Sequence, residues 1–151
     1  MLRSRRRALL AAAALAAVVA AVAIGLTQTS GGGSGEELRP LTARQVRAGI
    51  ADAAPVPEPI AELHAQANAI LPGGRSALDA RLRALRGTPV VLNVWGAWCV
   101  PCRAELPLFQ RAAIDNAGRV AFLGVDTEDA ASAAHRFLRQ VPVPYPSYQD
   151  L

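Results

Sequence analysis

At 151 residues the chain has room for one domain and little more. Its formal charge of +4 sits in Arg3, Arg5, Arg6 and Arg7; from residue 31 onward 12 Arg balance 12 Asp and Glu, so the body is neutral and offers no dispersed basic surface for nucleic acid. The two cysteines, Cys99 and Cys102, are too few for a disulfide-stapled scaffold and are spaced as one redox pair or half a metal site.

Behind the arginines, residues 8–26 form 19 positions without charge or proline. A run of about 18 or more reads as a transmembrane helix, with cleavage of a signal segment at Ala21-Val22-Ala23 as the alternative. The preceding arginines hold the N-terminus in the cytoplasm, which puts everything after residue 26 on the far side of the membrane. Ser4-Arg5-Arg6 followed by Ala8-Leu9-Leu10 also fits a twin-arginine export signal. Residues 27–35, TQTSGGGSG, have the composition of a tether. Pro55, Pro57 and Pro59 fix extended backbone, and residues 27–58 as a whole read as a flexible, Pro-rich linker.

Further along, Ile60, Leu63, Ala67 and Ile70 recur at helical spacing and predict a helix over 60–71, stopped by Pro72-Gly73-Gly74. A second short helix is expected with Ser76 as N-cap, Leu78, Leu82 and Leu85 as its stripe, and Gly87 as its stop. The runs 90–95 and 120–125 are almost unbroken apolar sequence rich in β-branched residues, the pattern of strands buried on both faces. Between them Leu106, Phe109 and Ala113 share one helical face, and 116–118 terminates it. Strand, helix and strand at this spacing make a right-handed βαβ unit and a parallel sheet. Asp126 or Thr127 can cap a last helix over 128–140, ended by Pro142, Pro144 and Pro146.

Cys99-Val100-Pro101-Cys102 falls where the first strand of that unit hands over to its helix. At a helix start, side chains three apart lie on one face and come close enough for a disulfide. The unpaired amides and the positive end of the helix dipole stabilise a thiolate on the first cysteine, and Pro101 is tolerated because first-turn amides lack helical partners. The chemistry implied is exchange: the Cys99 thiolate attacks a substrate disulfide and Cys102 resolves the mixed disulfide.

The segment VVLNVWGAWCVPCRAELP, residues 90–107, resembles the active-site region of the TlpA/ResA-type thioredoxin-like thiol-disulfide oxidoreductases, and the resemblance extends from about residue 59 to 148. It implies an α/β fold with a thioredoxin-like βαβ core behind an N-terminal transmembrane helix, with residues 1–26 as anchor or signal, 27–58 as linker and 59–151 as the thioredoxin-like domain. Members are tethered or exported and act on protein disulfides outside the cytoplasm, often as reductants in cytochrome c maturation, with a membrane or exported electron-transfer partner and no cofactor beyond the cysteines. By this resemblance Cys99 is the attacking thiol and Cys102 the resolving thiol. Glu105 matches a glutamate near the active site and Pro107 the proline that kinks the active-site helix. Trp95 and Trp98 read first as packing residues, with Trp98, beside the cysteine, as a rim of the substrate site. Asn93 falls where cytosolic thioredoxins carry a buried acid, so a proton-relay role passes to Glu105. The family continues with a cis-proline loop, two antiparallel strands and a closing helix that match nothing here, so the domain is expected to be C-terminally incomplete, with apolar strand edge exposed.

A metal site would need four ligands, and only His64 and His135 could join the cysteines, neither at close spacing, so no metal is expected. Arg103 stands where covalent haem attachment requires His. The alternative from another class is a non-enzymatic thiol module that binds a partner protein or passes a soft metal such as Cu(I) through the same thiolates.

Overall fold

The computed structural model describes residues 38–53 and 55–150. The apolar run 8–26 and the tether 27–35 lie outside the described residues, and among those described no helix is long and apolar enough to cross a membrane. Four strands, β1 Ile70–Leu71, β2 Val90–Trp95, β3 Ala121–Thr127 and β4 Ser147–Asp150, form a parallel sheet in the order β1-β4-β3-β2. Around it lie α1 Ala43–Asp52, α2 Glu58–Ala65, α3 Gly74–Ala84, α4 Val100–Asp115 and α5 Ala131–Gln140.

The expected βαβ unit is β2, α4 and β3, paired from Val90 opposite Ala121 to Trp95 opposite Asp126. The steps from β2 to β3 and from β3 to β4 run in one direction across the sheet, so right-handed crossovers place α4 and α5 on the same face. Trp95, Leu106, Phe122, Phe137, Leu138 and Tyr145 fill the space beneath them. The connection from β1 to β2 runs back across the sheet and puts α3 on the opposite face, where α2 and α3 close over Leu85, Ala121, Leu123 and Tyr148. Arg81 of α3 joins this layer to the sheet by donating to Glu62, Gln66 and the Tyr148 hydroxyl.

Several local expectations give way to tertiary pairing. The helix expected over 60–71 ends at Ala65, because Asn68 adopts a left-handed conformation (φ 64°) and Ile70 and Leu71 pair with Ser147 and Tyr148. Asn68 holds that turn by donating its N–H to the Tyr145 carbonyl and accepting from the Val143 N–H through Oδ1. Ser76 is not a cap: α3 starts at Gly74 behind Gly73, whose φ of 99° suits glycine alone. The last helix begins at Ala131, since Asp126 and Thr127 still belong to β3 and Glu128 turns the chain at φ 50°. Within the segment expected to be flexible linker, residues 43–52 are instead helical. Thr42 and Gln45 form a reciprocal capping box there, and Val46 is buried. β3 is buried as expected, but β2 is an edge strand, and Leu92 and Val94 are 42% and 56% exposed on the face toward α3.

Two buried features fix the corner that leads to β4. Gln110 of α4 is fully buried; its amide donates to the Leu41 and Pro142 carbonyls and its oxygen accepts from the Leu41 N–H, which ties both the approach to α1 and the proline connector to α4. Residues 141–148 are buried throughout. Prolines suit such a connector because they bring no N–H that burial would orphan.

Beneath the sheet, the Trp95 indole N–H donates 3.0 Å to Ser147 Oγ, passing under β3 at Gly124. A Cβ at Gly124 would overlap Ser147 Oγ and stand 2.9 Å from Ser147 Cβ, closer than real Cβ contacts come, and 3.0 Å from Trp95 Nε1. Gly124→Ala is therefore expected to destabilise the fold by about 1–3 kcal/mol through overpacking, measured as a lowered urea midpoint with an unchanged m-value; an unaltered midpoint would show that this crossing is loose.

Candidate active site

β2 ends at Trp95, and the chain turns through Gly96, Ala97 and Trp98 into α4. Cys99 is the residue that starts the helix. Its backbone is extended (φ −80°, ψ 103°), and its sulfur accepts from the Cys102 N–H at 3.3 Å, the place that a serine or aspartate oxygen takes in an ordinary N-cap. Cys99 and Cys102 are joined as a disulfide with their Cα atoms 5.3 Å apart. Pro101 lies in the first turn, where the amide that it lacks would have no helical partner. Farther along, buried Pro107 removes the bond to the Arg103 carbonyl.

The turn is held from three sides. The Cys99 N–H donates to the Gly96 carbonyl at 3.1 Å. The Ala97 N–H donates to Asp129 Oδ2 at 2.5 Å, and the Trp98 indole donates to the Thr127 carbonyl at 3.1 Å, so the far end of β3 braces the approach to the cysteines. Arg103 returns from α4 to donate to the Ala97 carbonyl at 3.0 Å and lies 4.8 Å over the Phe137 ring. Gly96 is needed at this point: a Cβ there would lie 2.6 Å from Trp98 Nε1 and 3.1 Å from the Thr127 carbonyl oxygen.

The residues singled out in the sequence separate into two groups. Cys99, Pro101, Cys102 and Trp98 gather at the start of α4. Trp98 is 59% exposed and lines a groove of about 300 Å³ with Arg103, Asp129, Arg136 and Phe137, whereas Trp95 is buried as a packing residue. Glu105 and Pro107 lie farther along α4. Glu105 is exposed on α4, away from the buried position of Asn93. Asn93 is buried and donates its amide to the Tyr145 hydroxyl, whose own ionisation burial pushes up. His64 lies on α2, where burial holds its imidazole below the ordinary range, and His135 is exposed on α5.

Two acids meet at this corner: Asp126, which sequence pattern alone marks as a helix cap, and Asp129, which it does not single out. Asp126 is fully buried, opposite Trp95 in register, and no protein group donates to either of its oxygens. Burial, with the carboxylate of Asp129 nearby, pushes its carboxyl up to about 6. The signal in the sequence is an acid one step beyond the apolar run 120–125, at a position whose alternation still points it inward.

The family model described as AhpC/TSA family matches residues 66–151, more than half of the chain. This protein belongs to the AhpC/TSA family. The chain is 36% identical over 61 residues to a protein of Pseudomonas fluorescens biotype C named thiol:disulfide interchange protein DsbE, covering 40% of this chain and 33% of the relative. It is 36% identical over 62 residues to thiol:disulfide interchange protein CycY of Rhizobium leguminosarum bv. viciae, covering 41% and 32%. Against chloroplastic thioredoxin M-type of Zea mays the identity is 36% over 56 residues, covering 36% and 34%. The chain thus spans about a third of the length of these relatives.

The raised carboxyl of Asp126 has a consequence for stability. A folded pKa near 6 against an unfolded one near 3.8 means that the folded chain binds more protons between these values; its contribution is fully present below pH 4 and is lost as pH rises through 6. About 2 kcal/mol of it is lost between pH 4 and pH 7.5. Urea unfolding of the oxidised chain at pH 4 and pH 7.5 should show wild type losing that much relative to Asp126→Asn; parallel behaviour of the two would place Asp126 in a solvated environment.

Proposed function

We propose that this AhpC/TSA-family chain is a thiol-disulfide oxidoreductase that acts on protein disulfides outside the cytoplasm. The observation that carries the reading is the place of Cys99 as the capping residue of α4, bonded to Cys102 and facing the Cys102 N–H. A sulfur at this position sits at the positive end of the helix dipole, where a thiolate is stabilised once the disulfide is reduced. Cys99 attacks the substrate disulfide, the mixed disulfide forms, and Cys102 displaces the substrate sulfur. The reaction requires no cofactor beyond the two cysteines.

The surroundings favour a polypeptide substrate. Trp98 stands exposed beside Cys99 at the edge of the groove formed with Arg103, Arg136 and Phe137, a mixture of apolar surface and fixed cations that suits an extended chain better than a small polar molecule. The names of the interchange-protein relatives support the same chemistry. The TlpA/ResA-type motif refines it to a reductant that serves cytochrome c maturation, supplied by a membrane or exported electron-transfer partner, with residues 8–26 as the tether or export signal.

The test uses the full-length chain and insulin as substrate. Dithiothreitol-driven insulin reduction should fall by more than about 10²-fold in Cys99→Ser, in line with the loss of a covalent nucleophile. Cys102→Ser should instead accumulate a covalent adduct of chain and substrate, seen by non-reducing mass spectrometry. Retention of activity in Cys99→Ser would refute the assignment.

A further inference from the structure

Asp126 is the one fully buried carboxylate among the described residues. It lies on the sheet face that carries Trp95, Phe122 and Gly124, toward α4 and α5, at the end where β2 leads to the cysteines. Cys102 packs against the apolar cluster that contains Trp95. An ionisable group so placed, without a donor to either oxygen, is unfavourable for the fold, and such groups concentrate where chemistry uses them.

We propose that Asp126 is the internal acid of the redox pair, the group that takes the proton of the Cys102 thiol when Cys102 resolves the mixed disulfide. The inference rests on the thiol-exchange reading and names a residue within it. In the mixed disulfide the Cys99 sulfur is bonded to a substrate sulfur. The Cys102 sulfur attacks Cys99 Sγ while its proton passes to the Asp126 carboxylate; the Cys99–Cys102 bond forms, the Cys99–substrate bond breaks, and the electron pair leaves with the substrate sulfur as a thiolate. Two electrons have then moved from the dithiol to the substrate, and the proton on Asp126 is released to solvent.

The alternatives at this corner do not serve. The Asn93 side chain is an amide, occupied with the Tyr145 hydroxyl, and Glu105 is exposed. In the disulfide form neither sulfur has a proton to give, which agrees with a carboxylate that has no donor. The register partners of Asp126 on the neighbouring strands, Trp95 and Gln149, are uncharged. The loop after β3 contributes Asp129, which raises its proton affinity, while α4 contributes Arg103 and α5 contributes Arg136, both lining the groove with Asp129. Asp129 is half-buried and borders that groove, so it offers the proton a path outward.

The reduced full-length chain is mixed with dithionitrobenzoate and the release of thionitrobenzoate is followed in two phases. The first reports attack by Cys99, and the second reports Cys102 resolving the mixed disulfide. Asp126→Asn should slow the second phase by about 10²-fold at pH 7, the size of a lost general base, and the first by less than about twofold. In wild type the second phase should show an inflection above the ordinary carboxylate range and below that of a free thiol, and Asp126→Asn should lack it. Equal second phases in the two chains, or a wild-type second phase that rises only with the titration of Cys102 itself, would overturn the assignment; the wild-type profile decides alone if the variant does not fold. Wild type that releases only the first equivalent would instead overturn the thiol-exchange reading itself.

Discussion

The start of α4 is the constraint on which the rest of the structure depends. A helix beginning there must satisfy its first amides, and here a cysteine sulfur does so, with the Cys102 N–H aimed at Cys99 Sγ. The same geometry that caps the helix holds the two sulfurs together and places the Cys99 sulfur at the positive end of the helix dipole. Everything around it steadies that junction. β2 delivers the chain to it, Asp129 and the Thr127 carbonyl secure the turn from the end of β3, and Arg103 closes the loop from the helix side.

The sheet transmits this order through buried polar contacts, with apolar packing as their background. Trp95 and Ser147 bond beneath Gly124, Asn93 meets Tyr145, and Gln110 anchors the proline connector. Each of these contacts reaches across more than thirty residues of sequence, so the residues that flank the cysteines are positioned by β4 and by the connector before it. A buried carboxylate tolerated in such surroundings is the exception, and it lies beside Trp95, whose apolar cluster Cys102 packs against.

What was legible in the sequence was what local pattern determines. The β-branched runs of β2 and β3, the apolar stripe of α4 and the spacing of Cys99 and Cys102 all point to a βαβ unit with its cysteines at the helix start, and the structure has that unit. What escaped was set by distant partners. Ile70 and Leu71 look like the end of a helix until Ser147 and Tyr148 pair with them, and β4 carries no alternation in Ser147-Tyr148-Gln149-Asp150 that would announce a strand. The capping box of α1, Thr42 with Gln45, was present in the sequence but hidden in a stretch whose prolines suggested extended chain. Asp126 looked like a helix cap because the length of β3 could not be judged without its neighbours, and its burial was hidden for the same reason.

The measurement that bears most directly on the central claim is the pH dependence of Cys99 alkylation by iodoacetamide in the reduced full-length chain, with Cys102→Ser used to isolate the one thiol. A sulfur that caps α4 should alkylate with a midpoint at or below about pH 7, well under the value of about 8.5 for a free cysteine. A midpoint at or above about 8.5 would mean that the helix start does not activate Cys99, and would contradict the account.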